Sequence, residues 1–533
     1  MTRLQIITSD IGKVGQALSL AAALPRFLRE RVTLGQAEDA VRRLLDSRAE
    51  RFLELARADI FGNAVSPYLP LLAHAGCSYA DLRAHVLRDG LEPTLTALAA
   101  AGVYLTSDEF KGKSDVVRGN TRMRVSPGSF QRRGRWVGYT IQSSGSRNLP
   151  VNSFVPLDWR GLQALGEAFF YSAHDLFSYR HAVFESVVAG RISAVLINSR
   201  LGVPTDRWFA LKVGAYGAVE DRYHRDSARI VAALGRQFGA GIASPEVVER
   251  GDFGPIERWI AENRRLGRKS CIRTVASNAA AIARSAISSG FSLHDTMFLA
   301  SGEPVTQPKK HLVESAGGRL AVRYGPGGGI CAALGCGHPT DLDEMHVPQT
   351  AWTCIQHPLA LDEGGPPVHP LLLTTLHAWA PRLLLNVANG DYATLTTRNC
   401  GCPLEAVGFT QHIHTVRSFE KVTSEGMNYF GADLLDVLEQ ALPAEFGGGP
   451  GHYQLVEEEG ADGQTRLTLV VHPDAGPIDE QRILARLQER MAAGSRNHRF
   501  MAAVWRDART LRIRREPPRT SVRGKVVPLH IDR

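Results

Sequence analysis

Residues 276–304 read ASNAAAIARSAISSGFSLHDTMFLASGEP, and this stretch decides the fold. Ala276 to Ser289 is rich in Ala and Ile and free of Gly and Pro, a helical composition. Gly290 ends it, since Gly accepts the left-handed conformation at a helix stop. Thr296-Met297-Phe298-Leu299 is a short apolar run of the kind that forms a buried strand. Ala300-Ser301-Gly302-Glu303-Pro304 is the turn after it. A helix, a stop, a buried strand and a Gly/Pro turn in succession are a unit of helix-covered sheet, and the fold class is α/β.

Working outward, Leu320 to Tyr324 and Val195-Leu196-Ile197 read as further buried strands, and Val137 to Ile141 as a short one. Toward the N-terminus the pattern is helical. Val41, Leu44, Leu45, Phe52, Leu55 and Ala56 recur at helical spacing with Arg and Glu between them. Pro67-Tyr68 and Gly90-Leu91-Glu92-Pro93 interrupt that pattern. After Arg417 a new order begins: an amphipathic helix over Gly431–Leu442, then strands over Tyr453–Glu457 and Arg466–Val471. A helix over Asp479–Ala493 and a strand near Leu511–Ile513 complete it, in split-βαβ style. The expected architecture is a helical N-terminal segment (1–120), a large core of helix-covered sheets (121–416) and a small mobile α+β domain (417–533).

At 533 residues the chain is too long for one core. Its 44% hydrophobic and 22% charged residues are those of a soluble globular protein. No apolar run reaches the ~20 residues of a membrane span. Seven cysteines, an odd number, argue for reduced thiols and a cytoplasmic setting rather than a disulfide framework. The net charge of +8 is mostly arginine, spread along the chain, with its densest run from Arg512 to Arg523. No aromatic-plus-basic motif accompanies it, so an anionic small molecule explains the charge better than nucleic acid.

Two loops carry soft ligands. Cys331-Ala-Ala-Leu-Gly-Cys336-Gly-His338 is one, and Cys400-Gly401-Cys402-Pro403 is the other. Cys331, His338, Cys400 and Cys402 would make a closed tetrahedral zinc site that pins two distant loops together. Cys336 and His346 stand in reserve, since either reaches the same loop. The alternative is unrelated cysteines packed as small core hydrophobes.

Gly327-Gly328-Gly329-Ile330-Cys331, Gly337-His338, Leu373-Thr374-Thr375-Leu376, Asn389-Gly390-Asp391, Cys400-Gly401-Cys402 and Arg417 run in a telling order. The order resembles that of phenylacetate–coenzyme A ligases, so the chain is similar to a divergent adenylate-forming enzyme. The resemblance is strongest from Gly302 to Gly426 and weakest between Asp158 and Arg250. It implies a structural zinc, ATP with Mg2+, and roles for several residues. Ser143, Ser144, Gly145 and Ser146 would turn N–H groups and hydroxyls toward phosphate. Gly302, Glu303 and Pro304 would lie along the adenine, with Tyr324-Gly325 stacking on it. Asp391 would grip the ribose hydroxyls; read from its residues alone, Asn389-Gly390-Asp391 is a turn. Arg417 would open the hinge to the small domain. Lys525 would stabilise charge as a carboxylate attacks the α-phosphate.

The implied activity is ATP-dependent conversion of a carboxylic acid to an acyl-adenylate, then transfer to a thiol or an amine. The implied partners are a small carboxylic acid and, as acceptor, coenzyme A, a carrier protein or an amine. A homodimer is allowed; nucleic acid and membrane are not expected. The acid pocket would fall within Phe169–Val213. One departure stands out. After Tyr324-Gly325 the family continues Thr-Glu, whereas this chain continues Pro326-Gly327. The alternative activity is therefore a non-adenylating acyltransferase or a binding protein on a degenerate ligase scaffold.

Overall fold

The structure, a computed structural model, describes residues 18–132, 134, 136–142, 152–186, 192–211, 218–249, 251–302, 304–326, 330–358, 369–418, 421–424, 427–430, 437–449, 452–459, 465–492, 511–519 and 529–531. Two hairpins open the strand order: β1 (Val116–Arg118) with β2 (Thr121–Met123), and β3 (Gly138–Gln142) with β4 (Asn152–Pro156). Next come β5 (Tyr179–Ser186), β6 (Thr205–Leu211), β7 (Pro245–Val248), β8 (Lys269–Val275), β9 (Thr296–Ser301) and β10 (Arg319–Tyr324). These pair in parallel in the order β10-β9-β8-β5-β6-β7.

The same sheet continues antiparallel through β11 (Ala333–Gly335), β12 (Met345–His346), β13 (Trp352–Gln356), β14 (Pro370–Thr375), β15 (Val387–Thr397) and β16 (Gln411–Ser418). From β10 the order is β11-β12-β16-β15-β14-β13, so among the described residues one sheet holds 12 strands. Its parallel half needs helical crossovers on both faces. Helix Leu157–Ala173 covers one face, where Ala168, Phe170 and Tyr171 meet Cys271, Leu299 and Ala321. Helix Ala276–Ser289 covers the other, with Ala279, Ile282 and Ala286 against Ile272 and Phe298. Gly290 stops that helix at φ 69°, as its sequence requires.

Val195-Leu196-Ile197, expected as a strand, lies in helix Ile192–Arg200. The run is buried on every side between β5 and β6, and a wholly buried helix shows no apolar stripe. The N-terminal helices share the large core with the antiparallel strands: Leu71, Leu82 and Leu95 belong to the same cluster as Leu372 and Val387. Leu105 N–H donates to Asn386 O at 3.0 Å, and Ala388 N–H returns to Leu105 O at 2.9 Å.

Past the large sheet, β17 (Lys421–Ser424) and β18 (Met427–Phe430) form a hairpin. Then β19 (Tyr453–Glu459), β20 (Thr465–Val471), β21 (Leu511–Arg515) and β22 (Leu529–Ile531) make a sheet in the order β21-β20-β19-β22. Helix Glu480–Ala492 lays Ile483, Leu487 and Met491 on Leu455, Leu467 and Leu469, a core cluster of its own. Of the expected helix over Gly431–Leu442, the described part is a π-helical turn, Val437–Ala441, running into helix Leu442–Phe446. Among the described residues, no helix is long and apolar enough to cross a membrane.

Candidate nucleotide site and metal-ligand cluster

Open α/β sheets bind ligands beyond the carboxyl ends of parallel strands. Here β10, parallel to β9 and antiparallel to β11, joins the two halves of the sheet. Gly302 follows β9 with φ 86°, and Tyr324 ends β10 beside it, since Ala300 pairs with Val322. Gly325 must be glycine: a Cβ there would lie 2.5 Å from the Ile330 carbonyl oxygen. Ala332 N–H closes the loop onto Tyr324 O at 2.8 Å.

Asn389-Gly390-Asp391 is not a free turn but a bulge inside β15. Leu372 faces Ala388 while Pro370 faces Tyr392, so residues 389–391 stand opposite Leu371 alone. Gly390 takes φ 90°, which a side chain would resist. Bulges re-aim side chains, and this one turns Asp391 toward β10. The Tyr324 hydroxyl donates to Asp391 Oδ2 at 2.7 Å. Asn389 Nδ2 donates to the same oxygen at 3.0 Å and to Tyr324 Oη at 2.7 Å. Asp391 is 3% exposed. Burial, then the Asp391 charge, push the Tyr324 phenol well above its ordinary range, so it stays a proton donor to the carboxylate. Arg417 lies beside this group on β16, its backbone paired with Tyr392 next to the Asp391–Ser418 pair.

The structure therefore brings together Tyr324, Gly325, Asp391 and the backbone of Arg417, and sets Gly302 and Pro304 at the neighbouring strand end. Pro304 O accepts from Lys309 Nζ at 3.3 Å. Ser143, Ser144, Gly145, Ser146, Glu303 and Lys525 lie outside the described residues. The stretch containing Ser143–Ser146 joins β3 to β4.

A second cluster joins the β11–β12 segment to the turn after β15. Cys336 Sγ, His346 Nε2, Cys400 Sγ and Cys402 Sγ form a group whose ligand atoms all lie within 4.8 Å of one another. His346 Nε2 is 3.5 Å from Cys400 Sγ and 3.2 Å from Cys402 Sγ. Gly401, at φ 72°, bends the chain so that Cys402 N–H points at Cys400 Sγ at 3.4 Å. His338 N–H donates to Cys336 Sγ at 3.3 Å, and Arg398 Nη2 reaches the same sulfur at 3.7 Å. His346 Nδ1 lies 2.6 Å from the Phe409 carbonyl oxygen, a contact that fixes the ring with Nε2 turned toward the sulfurs. Hydrogen bonds from the Cys336 thiol, and then from His346 and the Glu405 and Gly337 amides, hold the Cys402 thiol far below its ordinary range. The bond to Cys402, then burial, push Cys336 far up, so the pair shares one proton. Three sulfurs and one imidazole nitrogen, oriented by N–H donors, fit a tetrahedral cation of soft-ligand preference.

Two of the four expected ligands lie outside this group. Cys331 turns under β10, with its sulfur 3.4 Å from Arg323 Nη2, because residue 331 precedes the β11 pairing that carries Cys336 to the cluster. His338 stays outside the cluster, with its Nδ1 on the Cys400 carbonyl at 3.0 Å, and supports the loop rather than the ligand set. The reserve pair, Cys336 and His346, takes their places. Behind the cluster, Arg398 clamps Glu344 with bonds of 2.6 and 2.8 Å. His412 sits 2.7 Å from the same carboxylate, and its ring centroid is 3.9 Å from that of His346. Glu344 and His412 went unmarked in the sequence, since neither falls in a motif.

No protein-family model matches the chain. No curated protein matches it in sequence. Solved structures do match. A 2-hydroxyisobutyryl-CoA ligase, solved with 2-HIB-AMP and CoA in its thioesterification state, superposes with a TM-score of 0.54 at 13% identity, covering 95% of this chain and 91% of the ligase. A malonyl-CoA ligase with methylmalonyl-CoA and AMP bound gives 0.38 at 15% identity, over 83% and 95% of the two chains. The amide bond synthetase McbA of Marinactinospora thermotolerans gives 0.39 at 11% identity, over 87% and 92%. At such identities the likeness is one of fold. The protein has the fold of the adenylate-forming enzymes.

Proposed function

We propose that this chain is an AMP-forming ligase of the phenylacetate–coenzyme A ligase-like type that its motifs resemble. The observation that carries this reading is the hydrogen-bonded group of Tyr324, Asn389 and Asp391 at the carboxyl end of β10, in a sheet with the adenylate-forming fold. Asp391 is a buried carboxylate held by neutral donors, and ribose hydroxyls are donors of the same kind. In this reading they replace the Asn389 amide and the Tyr324 hydroxyl on its oxygens. Tyr324, Gly325, Gly302, Glu303 and Pro304 flank the adenine, and Ser143, Ser144, Gly145 and Ser146 face the phosphates.

A carboxylate oxygen attacks the α-phosphate of ATP, the bond to the β-phosphate breaks, and pyrophosphate leaves. Lys525 offsets the charge that gathers between the two anions. The small domain then turns about Arg417, and a thiol or amine takes the acyl group while AMP leaves. Magnesium accompanies ATP as its counter-ion, with Glu303 as the substitute for the carboxylate missing after Gly325. The cluster of Cys336, His346, Cys400 and Cys402 holds a structural zinc in this reading, which would fasten β12 to the turn after β15. Small carboxylic acids are the substrates, and coenzyme A, a carrier protein or an amine is the acceptor.

A second reading, an acyltransferase or binding protein without adenylation, rests on the Pro326-Gly327 sequence in place of Thr-Glu. One experiment separates the two. Pyrophosphate release is measured across aryl, aliphatic and amino acids, with and without coenzyme A. A ligase releases it with at least one acid, and Lys525→Ala lowers that rate by roughly 10²–10³-fold, the scale for one preorganised electrostatic group. Release with no acid, or a rate that Lys525→Ala leaves unchanged, would sink the ligase reading.

A further inference from the structure

Strand β16 does not pair evenly with β15. Thr394 faces His414, but Tyr392 faces Arg417, so Thr415 and Val416 stand opposite Ala393 alone. Thr415 takes φ 55°, a left-handed conformation that a β-branched residue resists. A bulge puts an extra residue outside the ladder, and its amides need another acceptor. Asp343 supplies one for each. Its Oδ1 accepts the Thr415 N–H at 2.7 Å, and its Oδ2 accepts the Val416 N–H at 3.2 Å. Asp343 is 5% exposed. It reaches the bulge because β12 runs antiparallel to β16: Met345 pairs with Ile413, and two residues further along Asp343 comes opposite Thr415. Its own place is firm, since Arg398 clamps Glu344 beside it and His346 pairs with His412.

The extra residue decides how β16 ends. With it, Ser418 pairs with Asp391 and Arg417 with Tyr392. Without it, the register of the Thr394–His414 pair would run on and bring Arg417 opposite Asp391, a slip of one residue. Backbone strain persists only where its surroundings hold it, and it collects at functional positions. Here it lies two residues before Arg417. We propose that Asp343 is a positioning residue for the domain turn. Its carboxylate holds the Thr415–Val416 bulge and so fixes where β16 ends and where rotation of the small domain begins. The hydrogen-bonded group of Tyr324, Asn389 and Asp391 is built from β10 and β15, so it should outlast loss of the bulge. This rests on the ligase reading and gives its hinge a fixed end.

The test separates turnover from binding. In Asp343→Ala, hydrogen exchange at the Thr415 and Val416 amides should quicken. The kcat for pyrophosphate release, with the acid that serves the parent best, should fall by roughly 10–10²-fold, the scale for a misplacement of about 1 Å. AMP affinity, read by calorimetry, should hold. A residue that only supported the fold would lower melting temperature, AMP affinity and kcat together. Asp343→Asn keeps one acceptor oxygen, so it should fall between the parent and Asp343→Ala, and it serves alone if the alanine variant does not fold. Adding Thr415→Gly should restore part of the lost kcat, because glycine takes the left-handed conformation without the side-chain cost. Unchanged exchange, unchanged kcat, an AMP affinity that falls in step with kcat, or no recovery from Thr415→Gly overturns the inference and leaves the ligase standing. A parent protein that binds AMP but releases no pyrophosphate with any acid sinks the ligase reading, and the inference with it.

Discussion

The Cys336–His346–Cys400–Cys402 cluster and the Tyr324–Asn389–Asp391 cluster hang on the same antiparallel run of strands, yet they balance in opposite ways. In the first, N–H groups and the Phe409 carbonyl orient four ligand atoms toward one point, and every one of them is a Lewis base. Within that set, one proton shared by Cys336 and Cys402 is all that offsets them. In the second, the donors and the acceptor satisfy one another, with an amide and a phenol on one carboxylate oxygen. Four bases with one proton among them gain most of their stability from a cation, so its loss is felt by the fold. A self-satisfied set stands without a ligand and exchanges partners when one arrives, so its loss is felt by binding.

The largest expected effect tests the first half of that contrast. Metal analysis of the purified protein should find one zinc per chain. Cys402→Ser should cost stability on the order of 3–5 kcal/mol, the scale for breaking one partner out of a buried charged set. Nucleotide affinity of the fraction that remains folded should hardly move. A metal-free protein with wild-type melting behaviour would show that the sulfurs are packing residues and would erase the contrast.

The next effect is smaller and falls on the other side. Asp391→Ala should weaken ATP or AMP binding, read by calorimetry, by about 1.5–3 kcal/mol. The melting temperature should shift less than in Cys402→Ser, because Asn389 and Tyr324 keep a bond to each other. Equal affinity in variant and parent would make Asp391 a bulge residue with no ligand.

These two clusters were unequally legible in the sequence. The members of the Tyr324–Asn389–Asp391 group were legible because they sit in short motifs, which the sheet brings together. The competing reading of Asn389-Gly390-Asp391 as a plain turn came from composition: those residues also suit a bulge, and only the β14 register distinguishes the two. In the metal group, Cys400-Gly401-Cys402 was readable from its spacing. The choice between Cys331 and Cys336 was not, because both lie in one loop and the β10–β11 pairing decides which one turns inward. His346 was obscured in the same way. It belongs to a two-residue strand whose pairing with His412 fixes its direction. The alternation of strand and helix around residues 276–324 gave the α/β class, while Val195–Ile197 misled because complete burial removes the period that separates helix from strand. The buried pairing of Glu167 with Arg273 and Arg323 was invisible, since the three come from one helix and two strands and share no motif.

The smallest effect examines how the second cluster works. Tyr324→Phe keeps the ring and removes the hydroxyl that bridges Asn389 and Asp391. If the ring contributes stacking and the hydroxyl only aims the carboxylate, AMP binding should weaken by about 0.5–1.5 kcal/mol, the net value of one hydrogen bond. The double variant Tyr324→Phe/Asp391→Ala then carries the decision. A hydroxyl that acts through Asp391 has nothing to aim once the carboxylate is gone, so the double variant should bind AMP no worse than Asp391→Ala alone. The two losses should therefore fail to add, with a coupling of about 0.5–1.5 kcal/mol, as residues in contact do. Full additivity would mean that the hydroxyl meets the nucleotide directly. Tyr324 would then be a second polar contact in its own right, and the cluster would be two independent contacts on adjacent strands, not a self-satisfied unit that opens to receive a ribose.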